Sequence, residues 1–184
     1  METERRIDQP HYPWYSQVDD NSLAQGDFFF AFPAIVPIYP QHLNTDASET
    51  TVDLAFFDVV VLTQSCDLTL GKVDNVMVCP HFSLTDAKPL IPHLQHKKGR
   101  EEVRRGILPA YHVLEACSLA GFEREPRIVN FAQVFTVPLS YARAQANPGQ
   151  LRLRLLPPYR EHLAQAFARF VMRVGLPQDI ASLD

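Results

Sequence analysis

The sequence predicts a mainly β, α+β fold finished by a C-terminal amphipathic helix. Three observations carry this. Residues 59–62 and 75–79 are apolar, β-branched runs of strand length, and residues 128–137 form a third run with period-two alternation. Fifteen prolines against seven glycines favour short strands joined by stiff loops over long helices. Residues 158–174 carry Tyr159, Leu163, Ala166, Phe167, Phe170, Val171 and Val174 at helical spacing, and Pro158 suits a first helical turn. Gly175 and Pro177 then supply a stop.

Taken in order, residues 1–22 read as an N-terminal arm, and residues 23–184 as one domain that includes the terminal helix 158–174. Trp14, the only tryptophan, lies in an aromatic stretch suited to latching the arm onto the body or a neighbouring subunit. Gly26-Asp27 turns into a first strand at Phe28, and Pro33 and Pro37 predict that this strand is bulged or at an edge. Residues 42–51 are a polar loop, and residues 52–57 lead into a central hairpin whose turn lies within residues 67–74. Residues 82–105 are the least regular stretch, with a short helical turn at 101–105. Residues 106–109 and 111–114 look extended, and residues 140–150 are a helical or looped link.

Composition narrows the function classes. Net charge is −4, with 4 basic against 13 acidic side chains in residues 1–92 and 13 against 8 in residues 93–184. Such halves usually neutralise one another within a fold, and otherwise make a basic face for phosphate. Three cysteines without disulfide-like spacing, and a polar start lacking an apolar signal core, lead us to expect a cytoplasmic protein with no membrane association.

The candidate chemistry lies in the expected hairpin. If residues 59–66 pair with 75–81, strand alternation places Gln64, Cys66, Cys79 and His81 on one face. Three readings follow. In one, Cys66 is a nucleophile activated by His81, with Asp67 or Gln64 orienting the base. In another, Cys66, Cys79 and His81 hold a metal such as zinc, with a fourth ligand from His93, His96 or His112. In the third, these are core and rim residues without chemistry. A separate basic run, Lys97, Lys98, Arg100, Arg104 and Arg105, is either a solvated loop or an anion contact for RNA or DNA.

The order of pieces resembles the MazF/PemK family of toxin ribonucleases. The resemblance is carried by Gly26-Asp27, by VVVLTQ at residues 59–64, by VMVCP at residues 76–80, by IVNFAQVFTV at residues 128–137, and by a terminal helix. It implies a small SH3-like barrel, here partly open, with helices. That family places a catalytic arginine just before the valine-rich strand and a Thr or Ser after the second strand. Residues 53–58 contain no arginine, whereas Ser83 stands near the second position. The resemblance therefore implies a binding module engaging nucleic acid or a partner protein, in a bacterial toxin–antitoxin or defence context, with no cofactor. The competing expectations are a cysteine-dependent enzyme or small metal-binding protein, and an oligomeric structural protein, such as a homodimer, that uses the arm and final helix for contacts.

Overall fold

The computed structural model describes residues 12–38, 52–147 and 149–172. Among the described residues, eight strands form an antiparallel sheet: β1 (Tyr15–Val18), β2 (Asp27–Pro37), β3 (Val52–Val61), β4 (Asn75–Ser83), β5 (Tyr111–Leu114), β6 (Arg127–Asn130), β7 (Phe135–Pro138) and β8 (Arg152–Leu155). Their order is β1-β8-β2-β3-β4-β6-β5, with β7 also beside β4, and the sheet does not close into a barrel. The described residues also form the helices α1 (Ser65–Leu70), α2 (Leu84–Leu90), α3 (Lys97–Arg104), α4 (Leu139–Gln145) and α5 (Tyr159–Val171). The mainly β, α+β expectation holds. Among the described residues no helix is long and apolar enough to cross a membrane.

The central hairpin differs from its expected form. β3 stops at Val61, and Val60 faces Cys79 while Val59 faces Pro80. Parity is as expected, but the strand ends before Gln64. The Thr63 hydroxyl accepts from the Met77 amide at 2.7 Å, which occupies the next rung with a side chain instead of a backbone group. Gln64 then starts α1, which Gly71 closes in the left-handed conformation at φ 62°. The physical reason is local. Ser65 to Asp67 are poor strand formers and good first-turn residues, so the chain coils where period-two counting carries it onward.

Two more expectations shift. The run at 128–137 is not one strand but β6 and β7, broken by a 3₁₀ turn at Phe131–Gln133. The Asn130 side chain accepts from the Ala132 amide and bends the chain there. β4 consequently has two partners on one side, β7 along residues 75–78 and β6 along residues 81–83. Residues 82–105 are more regular than expected, for α2, a 3₁₀ turn at Pro92–Gln95 and α3 fill them. Residues 106–109 form turns instead of a strand.

Strands β1 and β8 have no counterpart in the sequence reading. The Arg-Leu-Arg-Leu alternation of β8 is the signal that marks it. β1 pairs with β8 from Tyr15 to Val18, and Trp14 stacks on Tyr159 of α5 with centroids 3.6 Å apart. The segment thus latches onto the body. β2 does carry a bulge, but between Phe29 and Phe32, upstream of the two prolines, where Ala31 sits at φ 52°; pairing through Pro33 and Pro37 is regular. The expected helix at 158–174 is α5, whose Leu163, Ala166, Phe167 and Phe170 cover a core with Phe28, Val60, Cys79, Val129 and Phe131. A second core, with Phe29, Phe32, Val59, Val61, Val76, Val78 and Val137, lies on the other face under α1 and α4. The polar loop at 42–51 and the expected helix stop at Gly175 and Pro177 lie outside the described residues.

Candidate functional site

The sheet register separates the predicted catalytic group into two places. Cys79 and His81 do share a face of β4, and both are buried. Cys66 and Gln64 have left the sheet and are exposed at the start of α1. The hydrogen-bond partners of Cys66 Sγ among the described residues are Gln64 Oε1 and Asp67 Oδ1, each 3.7 Å away. His81 is not one of them. Cys66 and His81 therefore do not form a nucleophile–base pair, because α1 turns the thiol away from the strand that carries the imidazole.

His81 belongs instead to a buried polar network. Arg127 on β6 donates from Nε to His81 Nδ1 at 2.9 Å and from Nη2 to Asp58 Oδ2 on β3 at 2.5 Å. Asp58 Oδ1 accepts from the amide of Ala31 at 3.0 Å, so the bulge residue with positive φ is tied to the same carboxylate. Phe28 and Phe30 meet the imidazole edge to face, and Arg124 lies over the Phe30 ring at 5.1 Å. Because Nδ1 accepts from a guanidinium, the proton of neutral His81 sits on Nε2, which is buried without a hydrogen-bond partner. Burial and the Arg127 charge together hold the imidazole well below its usual range. A ring so placed offers no lone pair to a substrate. The network joins β3, β4 and β6 and pins the bulge.

Cys79 is likewise sealed. Its Sγ donates to the Asn130 carbonyl at 3.1 Å, and burial pushes the thiol up to about 12. Among the described residues no group of three or more His, Cys, Asp or Glu side chains is placed to hold a metal ion. Cys66, Cys79 and His81 are not gathered into such a group. The fourth-ligand candidates are also dispersed. His93 and His96 are exposed around the 3₁₀ turn, while His112 is on β5 against Phe131.

The basic run is a helix, not a loop, and three of its five cations have partners. Arg104 grips Glu101 through two 2.7 Å bonds, Lys98 lies 3.9 Å from Glu102, and Arg100 donates to the carbonyls of Leu94 and Gln95. Arg105 caps α3, and Lys97 opens it. Ser83 is a helix cap: its hydroxyl accepts from the Asp86 amide and donates to the Asp86 carboxylate. The Ser-x-x-Asp spacing is the signal that could have located α2.

No protein-family model matches the chain, and no curated protein sequence matches it.

Two surface features remain. Gln64 and Asp67 line a cleft of about 440 Å³ between α1 and α5, with Gln25, Thr63 and Asn75 beside them and Ala164, Phe167 and Ala168 opposite. The larger feature, missed by sequence reasoning, is the far end of the β2–β3 pair. Strand residues directly opposite one another share a face. Pro33 faces Phe56, Ile35 faces Leu54 and Pro37 faces Val52. Ile35 is 70% exposed, Leu54 64%, Phe56 63% and Val52 51%. Ala34, Val36 and Phe57, together with Ile35 and Pro37 of the ladder, line a groove of about 560 Å³ against Pro80, Gln133, Phe135 and Thr136.

Proposed function

We propose that the chain is a binding module of MazF/PemK-like, partly open SH3-like barrel type, and that it engages a protein and not nucleic acid. The carrying observation is the apolar ladder of Ile35, Pro37, Val52, Leu54 and Phe56, which is exposed and contains no polar side chain, with half-buried Pro33 at its base. Exposed contiguous apolar surface of this kind marks an interaction site. The barrel reading draws support from β2, β3, β4 and β7, which share one core, and from the Tyr141 hydroxyl, which donates to the Pro33 carbonyl at 2.7 Å and spans the gap between α4 and β2. In α3, Arg104 and Lys98 already sit beside Glu101 and Glu102, which lessens the field that those two cations offer a phosphate. The test is fluorescence anisotropy with labelled single-stranded RNA and duplex DNA at low salt. We expect no saturable binding at micromolar protein. Tight binding that falls steeply with salt would replace the protein-binding reading with the nucleic-acid one.

A further inference from the structure

The cleft of about 440 Å³ between α1 and α5 shares no residue with the apolar ladder, and its two walls differ in chemistry. One wall carries carboxamides, the Thr63 hydroxyl and the Asp67 carboxylate, and Asp67 is the only ionisable side chain in the lining. The other wall is α5. Its Ala164 and Ala168, one turn apart, leave room, and Phe167 beside them offers a ring.

Gln25 fixes the polarity of the first wall. It is nine-tenths buried, and its backbone amide donates to Ser65 Oγ at 3.0 Å. Its side-chain nitrogen donates to the Leu62 carbonyl at 2.9 Å. A carbonyl only accepts, so the nitrogen is committed there, and Oε1 is the atom that Gln25 brings to the cleft. An acceptor held in this way meets a donor without reorganising. Asp67 adds a second acceptor: Oδ1 takes the Cys66 thiol at 3.7 Å, which leaves Oδ2 for another donor. The α5 wall has the same electrostatic sign. Phe167, Ala168 and Val171 lie at the C-terminal, negative end of the helix dipole, and the basic residue of that end, Arg169, lies by His112.

We propose that this cleft binds a small organic cation with several N–H donors on a short aliphatic stem, an alkylguanidinium. A guanidinium only donates, so it pairs with the Asp67 carboxylate and reaches Gln25 Oε1 with its remaining N–H groups. Its planar face and its stem suit Phe167 and the alanines opposite. An anion of the same size would meet a carboxylate and no cation in the lining.

Proton–nitrogen correlation NMR of the full chain tests this, because the side-chain NH2 groups of Gln25, Gln64 and Asn75 report from the wall itself. Butylguanidinium at millimolar concentration is expected to shift them saturably, whereas butylurea, its neutral counterpart, and butanesulfonate leave them in place. Asp67→Asn is expected to weaken binding about tenfold or more, since it removes the charge-assisted contact. Ala168→Phe is expected to abolish binding by filling the cleft. Glu123→Gln, which removes an exposed carboxylate outside the cleft, leaves the affinity unchanged. The backbone amide spectrum confirms folding of each variant, and Ala164→Leu replaces Ala168→Phe if that one misfolds. Shifts that do not saturate, butylurea or butanesulfonate binding as tightly, or equal weakening in Asp67→Asn and Glu123→Gln overturn the proposal. None of these outcomes bears on the protein-binding reading, which rests on other residues.

Discussion

His81 and His112 are both held neutral by burial, His81 with help from Arg127 and His112, down to about 4, with help from Arg169 and His162. In an unfolded chain both titrate near a pKa of about 6.5. Below that pH the unfolded state binds more protons than the folded one, so stability is present in full above about pH 6.5 and falls as pH falls. Each histidine contributes a slope of up to about 1.4 kcal/mol per pH unit. Urea midpoints at pH 7, 6 and 5 should therefore decrease in step, and His112→Phe should shallow the decrease. A midpoint that does not move across this range contradicts the buried, neutral placement. The pairing of Cys79 with His81 on one face was legible, since alternation along β4 needs only the residue numbers. The loss of Cys66 from that face was not, because it depends on where β3 ends, and that is decided by the Thr63 hydroxyl taking a backbone amide as its partner.

Among the elements, α3 depends most visibly on one residue. Gly99 lies in the middle of the basic run, where glycine disfavours a helix. The turn at Pro92–Gln95 passes so close that a Cβ on Gly99 would sit 1.8 Å from the His93 carbonyl oxygen. Its role is thus packing, bringing Leu94 and Val103 into one small core with Ala87, Ile91 and Ile128. Gly99→Ala gains helix propensity but must push the turn away, and we expect a net loss of about 1–3 kcal/mol, read as a lower urea midpoint. An unchanged or higher midpoint would mean that the turn moves freely. The sequence showed the cations of this stretch and a short helical turn at 101–105 but not the whole helix, since Gly99 counts against one, and the compensating contact comes from the turn at Pro92–Gln95. α5 was legible for the opposite reason: its apolar stripe spans several turns, so its period outweighs any single residue.

At the scale of the molecule, the acidic first half and the basic second half meet as buried and half-buried pairs. Asp27, fully buried at the entry to β2, is held bidentately by Arg154 and approached at 3.5 Å by Arg152, both from β8. Arg152 also donates to the carbonyls of Asp20 and Ser22. Asp58 and Arg127 make the second tie, between β3 and β6. Asp27→Ala leaves two arginines facing an empty site, and a loss of about 3–5 kcal/mol is expected by chemical denaturation. A loss under about 1 kcal/mol would show that Asp20 and water replace the carboxylate. The sequence by itself determined the strand-rich class and the terminal helix, and it offered the neutralisation between halves as one of two readings. These follow from period, proline and charge, which are properties of neighbouring residues or of whole segments. Only the tertiary structure decided that the two sulfurs separate and that the β2–β3 ribbon outruns its neighbours. Each depends on where one strand stops relative to another, and register between distant segments is set by packing that no local pattern encodes.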